Sequence, residues 1–211
     1  MRSLQGLAIL TLLLCHPLRI CAAQLHHDLT VSLAPEEASL EVTDIITVPR
    51  GTDSLVFSLH PGLQPRLLEG DAQLARLPAA TDGDRHQGPE RYRVTLPAGR
   101  DSFTLRYSGR IRHALQQQGE EYARSFSTTR GMISPDGVFL SGSSYWYPHI
   151  EGSLLSFDLA LRLPGTWKGM SQGDRLETPD TAGNRTERWR CTAPQEEIYL
   201  IAGPFTEYAH T

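Results

Sequence analysis

The sequence predicts an all-β fold, a β-sandwich or one large curved sheet, and three observations predict it. Apolar residues recur at period two in short runs. Turn-forming clusters break those runs roughly every 8–12 residues, the spacing of a sandwich. No stretch carries a clear helical stripe, and the 14 prolines and 18 glycines are spread along the chain as punctuation between many short elements.

The elements follow in order. Leu29, Val31 and Leu33 alternate with Thr30 and Ser32 until Pro35-Glu36-Glu37 breaks the run, and Leu40, Val42, Ile45, Ile46 and Val48 continue it to Pro49-Arg50-Gly51. Two strands joined by a short turn are the simplest account. Leu55–Leu59 ends at His60-Pro61-Gly62; Leu67 and Leu68 precede Glu69-Gly70-Asp71; Leu74 and Leu77 precede Pro78. Residues 79–90 are polar and rich in turn formers, which reads as a loop. Tyr92, Val94 and Leu96 alternate, as do Phe103, Leu105 and Tyr107, with Pro97-Ala98-Gly99 between them. Ile111–Phe126 reads as a helix or a long loop. Val138–Leu140, the strict alternation of Leu155–Leu163, Arg188–Cys191 and Ile198–Ala202 complete the series. The even texture from Leu29 to Phe205 predicts one domain, residues 24–211, after an N-terminal address segment.

That segment is residues 1–23. Arg2 gives a positive start, Gly6–Leu14 an apolar stretch and Cys21-Ala22-Ala23 a small-residue cleavage site, the pattern of a secretory signal peptide. The apolar run is far short of the ~20 residues that span a bilayer, so no stable membrane span is expected and the chain is expected to be exported, to the periplasm or outside the cell. Cys15 and Cys21 fall in the signal, which leaves Cys191 as a small buried strand residue. The net charge of −4 with no basic stripe offers nucleic acid no footprint. The arginines at Arg106–Arg112 and Arg185–Arg190 alternate with other residues, as on the solvent face of strands.

Catalytic patterns are missing. His-Glu-x-x-His, the glycine-flanked serine elbow and phosphate-binding glycine loops do not occur. His149-Ile150-Glu151 lacks the cysteine pair that would complete a deaminase zinc site. His26-His27-Asp28 reads as a polar lead-in to the first strand rather than a metal site, and Ser141-Gly142-Ser143-Ser144 as a small-residue turn. Asn184-Arg185-Thr186 fits a glycosylation sequon.

Four stretches in order resemble the N-terminal domain of the aminopeptidase N family of zinc peptidases, of bacterial type. His26–Leu33 is similar to the family's opening His-Tyr-Asp-Leu strand. Gly137–Pro148, with Tyr145-Trp146-Tyr147-Pro148, is similar to a phrase of bacterial members, where the better-known members carry Pro-x-x-Asp-x-Pro. Leu155–Pro164 followed by Trp167 and Ser171-Gln172-Gly173 matches the family's strand, Pro, Trp, Ser-x-Gly succession. Ile198–Phe205 looks like the end of that domain.

The resemblance implies a curved, saddle-like antiparallel β-sandwich that packs against a thermolysin-like catalytic domain, in cis or in trans. The family's zinc ligands and general base lie in that following domain. The sequence stops at Thr211, before them, so no catalytic residue, metal ligand or cofactor is carried over to this chain. The implied role is structural and substrate-shaping, in a truncated or split aminopeptidase-like protein. Trp146, Tyr147 and Trp167 are the candidate interface residues, with core packing as their other reading. The alternative function is a free-standing secreted binding module of the same fold, with a ligand surface around Tyr145–His149.

Overall fold

The structure, a computed structural model, describes residues 25–68, 70–78, 88–113, 116–118, 126–176 and 185–208. The strands are β1 (Leu25–Ala34), β2 (Ser39–Thr47), β3 (Ser54–Leu59), β4 (Arg66–Leu67), β5 (Gln73–Arg76), β6 (Glu90–Thr95), β7 (Ser102–Arg110) and β8 (Gln116–Gln118). There follow β9 (Phe126–Thr128), β10 (Gly131–Ser134), β11 (Gly137–Leu140), β12 (Leu155–Leu163), β13 (Lys168–Met170), β14 (Asp174–Leu176), β15 (Arg185–Gln195) and β16 (Leu200–Gly203). Helical structure among the described residues is confined to two single turns, Pro35–Glu37 and Gly142–Ser144. The all-β expectation holds.

A seven-stranded sheet runs β14-β15-β12-β1-β2-β7-β4. A four-stranded sheet runs β10-β11-β16-β13, a three-stranded sheet β3-β6-β5, and β8 pairs with β9. Pairing is antiparallel as expected, with one departure: β1 and β12 run parallel, from Leu25 opposite Leu155 to Ser32 opposite Arg162. Parallel neighbours need a long crossover. Here the crossover carries the three-stranded sheet and the first half of the four-stranded one.

Period two decides the faces. Along β1, Leu25, His27, Leu29, Val31 and Leu33 are buried while the residues between them are half-buried or exposed. Along β12, Leu155, Phe157, Leu159, Leu161 and Leu163 do the same. They join Phe57, Leu59, Tyr92 and Val94 of the three-stranded sheet, and Ile133, Val138, Leu140, Leu200 and Ala202 of the four-stranded one, in a single core. Each fully buried aliphatic or aromatic side chain contributes roughly 1.5–3 kcal/mol.

The predicted turns form as turns. At Pro49-Arg50-Gly51 the Thr52 amide donates to the Pro49 carbonyl at 3.2 Å, and at Pro97-Ala98-Gly99 the Arg100 amide donates to the Pro97 carbonyl at 3.1 Å. Gly51 and Gly99 sit at φ 82° and 79°, in the region glycine enters without steric cost. The helix-or-loop stretch Ile111–Phe126 contributes Gln116–Gln118, which is strand, paired with Phe126–Thr128. Residues 114, 115 and 119–125 of that stretch, the signal segment and Asn184 of the sequon lie outside the described residues.

Truncating the two faces of β1 separates core from surface. Leu29→Ala is expected to cost about 2–5 kcal/mol, and Thr30→Ala about 1 kcal/mol or less, read from urea midpoints. Equal losses would contradict the assignment of faces.

Candidate functional site

Trp146 and Tyr147 are both fully buried. The Trp146 indole N–H donates to the Ile198 carbonyl at 3.0 Å, and the Tyr147 hydroxyl accepts the Ile198 amide at 3.3 Å. Together they clamp residues 141–148 to the chain leading into β16, so any contact they make with a partner is indirect. Trp167 is half-buried against the core. The segment around Tyr145–His149 runs beside the end of β3. The His60 amide donates to the Tyr145 carbonyl at 2.8 Å, and Ser58 and His149 exchange backbone bonds of 2.8 and 3.0 Å. The Tyr145 and His149 rings meet edge to face, 5.7 Å apart.

The other candidate groups are occupied by structure. The Ser141 hydroxyl donates to the Arg130 carbonyl at 3.2 Å and the Ser144 hydroxyl to the Ser141 carbonyl at 2.7 Å, which closes the small-residue turn. Cys191 is buried in β15, and burial pushes its thiol up, away from the thiolate that reacts. His26 and His27 point to opposite faces of β1: His26 lies 2.8 Å from the Ser156 hydroxyl, whereas His27 faces the core. Among the described residues no three His, Cys, Asp or Glu side chains are placed to hold a metal ion.

Two features went unread in the sequence. One is an apolar row on the outward face of the four-stranded sheet. Met132 lies opposite Phe139, Phe139 opposite Ile201, and Ile201 opposite Met170, which spans all four strands. The Tyr199 ring extends it, 6.3 Å from Phe139. Phe205 is 43% exposed and Met170 48%. A hollow of about 260 Å³ opens there between Met132, Phe139 and Phe205. The outward face of the seven-stranded sheet has the opposite character: its corresponding row reads Arg188, Ala160, Thr30, Thr43, Arg106. Water covers such a polar face well; the apolar row is the kind of contiguous surface that marks a contact.

The second feature is a buried polar pair. His27 Nδ1 lies 2.9 Å from Asp44 Oδ2, and neither side chain has any exposed surface. The Tyr147 ring stands edge-on to His27 at 5.6 Å. Burial is the largest influence on Asp44 and holds its carboxyl above the ordinary 3.8, against the pull of His27 in the other direction. The spacing of His27 among Leu25, Leu29 and Val31 was the signal for it: period two puts this histidine on the core face.

Solved structures give the same fold. An M1 zinc metallopeptidase mutant from Deinococcus radiodurans, bound to a Tyr-Ser-Ala substrate, matches at a TM-score of 0.52 and 17% identity over 86% of this chain and 42% of its own. Yeast LTA4 hydrolase in complex with bestatin matches at 0.56 and 18%, over 89% of this chain and 29% of its own. Legionella pneumophila aminopeptidase A in complex with aspartic acid matches at 0.51 and 11%, over 86% and 21%. This chain has the fold of the N-terminal part of M1 zinc metallopeptidases. It spans less than half the length of each of these structures. No protein-family model and no curated protein matches the sequence.

The Asp44 carboxyl gives a pH test. A carboxyl whose pKa is raised by folding favours the folded state when protonated. The stability it contributes is present below the unfolded value near 3.8 and is lost as pH climbs through the raised value. Urea midpoints from about pH 4 upward are therefore expected to fall for the wild type relative to Asp44→Asn. A wild type that gains on the variant as pH rises would mean that pairing with His27 outweighs burial.

Proposed function

We propose that this chain is the non-catalytic N-terminal domain of an exported zinc aminopeptidase-like protein, a structural and substrate-shaping cover for a thermolysin-like catalytic domain in cis or in trans. The apolar row Met132, Phe139, Ile201, Met170 carries the reading. It crosses the whole four-stranded sheet on the side away from this chain's own core. A layer that is apolar on both faces is the natural middle of a larger assembly. The fold of the M1 structures supports it, since the matched part is 42% of one and 29% of another.

Export rests on the sequence of residues 1–23, with its positive start, apolar stretch and Cys21-Ala22-Ala23. No helix among the described residues is long and apolar enough to cross a membrane. Zinc belongs to the catalytic domain in this reading, and this chain's residues shape the approach to it.

A second reading, a free-standing secreted binding module, has one observation in its favour. A hollow of about 320 Å³ lies on the polar outward face, lined by Asp28, Thr30, Asp158, Arg188 and Arg190. Arg190 there donates to Asp158 at 2.6 Å, which leaves charges of both signs for a polar ligand. A downstream reading frame encoding His-Glu-x-x-His discriminates in favour of the first reading, and an unrelated gene in favour of the second.

Two measurements test the first reading on the chain itself. With added zinc, the purified chain is expected to release no amine from amino-acid anilides above background; robust zinc-dependent turnover would sink the proposal. Phe139→Ser combined with Ile201→Thr is expected to lower binding of a hydrophobic dye and raise solubility while shifting the melting temperature little, since both side chains point away from the core. A melt lowered as far as by a core truncation would place those residues inside.

A further inference from the structure

Directly after β16 the chain turns back onto the sheet it has just left. On the outward face of the four-stranded sheet, the row next to Met132, Phe139, Ile201 and Met170 lacks side chains in its middle. Ser134 lies opposite Gly137 and Gly203 opposite Lys168, and with Val138 opposite Ala202 the two glycines are neighbours. The hollow of about 260 Å³ opens beside Gly137, and Phe205 forms one of its walls with Met132 and Phe139. A side-chain carbon on Gly203 would stand 3.0 Å from Phe205 Cζ, closer than apolar carbons ordinarily pack. Glycine at that position gives the ring its seat.

Two residues further on, the Glu207 carboxylate is gripped by two cations. Lys168 Nζ of β13 donates to Glu207 Oε2 at 3.0 Å, and Arg175 Nη1 of β14 donates to Glu207 Oε1 at 2.8 Å. Arg175 is itself anchored, since its Nη2 donates at 3.3 Å to Oε1 of Glu187, a buried residue of β15. Strand β13 belongs to the four-stranded sheet, β14 and β15 to the seven-stranded one. One carboxylate therefore ties the segment after β16 to both sheets. A single exposed ion pair stabilises little; here two share one carboxylate and act with the ring seated two residues before it.

We propose that residues 204–207 form a return strap, in which Phe205 occupies the glycine seat and Glu207 locks it there across the seam between the two sheets. Phe205 thereby belongs to the apolar face although it lies in no strand, and the chain beyond Glu207 starts from the β13 edge of that face. The use of the face rests on the docking reading above. A partner meets a surface already assembled and does not have to order Phe205 on binding, which removes part of the entropic cost of association. The lock is electrostatic and open to solvent. Salt at about 1 M screens exposed charges beyond roughly 3 Å, so the strap loosens as ionic strength rises.

Chymotrypsin, which cuts after large aromatic residues, reads the strap on the chain alone, with each rate taken relative to a free peptide of residues 200–211. At low salt the bond after Phe205 is expected to be protected. Glu207→Gln is expected to speed its cleavage roughly 2–10-fold through the loss of two exposed ion pairs, with little change in melting temperature. Salt at about 1 M is expected to speed the wild type by a similar factor and the variant hardly at all. Equal rates for the two proteins at low salt, or an equal response to salt, would overturn the lock. Proton NMR reads the seat. A nuclear Overhauser contact between the Phe205 ring and the Gly203 α-protons is expected in the wild type and is expected to weaken in Glu207→Gln; its absence from the wild type would overturn the strap. Neither readout involves a partner, so their failure is distinct from that of the docking reading, which fails when a catalytic domain leaves this face open.

Discussion

Strand β1 is held between β12 on one side and β2 on the other, and the register of those two pairings decides which face of the seven-stranded sheet is core. A slip of one residue would turn Leu29 and Val31 to water and bring Asp28 and Thr30 inside. His27 makes such a slip costlier still, because only this register sets it against Asp44, and an unpaired buried carboxylate is among the most expensive groups a core can hold. The parallel β1–β12 pair also closes the fold over distance. Residues 35–154 must be laid down before β12 can take its place, and the three- and four-stranded sheets are packed onto the inward face within that span and by the strands after β12.

Much of this was legible in the sequence. Strict alternation named the buried set of β12 residue by residue and Leu29, Val31 and Leu33 of β1, and Pro-Gly clusters at Gly51 and Gly99 named the turns. The parallel pairing was not legible, since alternation shows a strand's faces and not its neighbours. Chain segments as short as β4, at Arg66–Leu67, carry too few residues for a period. The stretch after Ile111 could not be resolved between helix and loop because its glutamines fit either, and its pairing at Gln116–Gln118 depends on a partner further along the chain.

The candidate site was harder to read, for a different reason. Trp146, Tyr147 and Trp167 drew attention by residue type, and large aromatics serve cores as readily as contacts. In the structure Trp146 and Tyr147 anchor the approach to β16 from within. The outward apolar row was signalled instead by unbroken runs. Val138-Phe139-Leu140 and Leu200-Ile201-Ala202 are apolar at every position, where a strand with one wet face would alternate. Reading those runs as strands apolar on two faces would have pointed to Phe139 and Ile201. His26-His27-Asp28 looks polar as a block, yet its period places the middle residue inside.

The proposed role requires that a catalytic domain cover the four-stranded sheet. The two methionines among the described residues, Met132 and Met170, both sit in the apolar row, one at each edge of that sheet. Methionine oxidation footprinting of the chain, alone and with a His-Glu-x-x-His catalytic domain, reads that face directly. Both methionines are expected to oxidise readily in the chain alone and to be protected when the catalytic domain binds. Binding that leaves both open to oxidant, or methionines already protected in the monomeric chain, would contradict it.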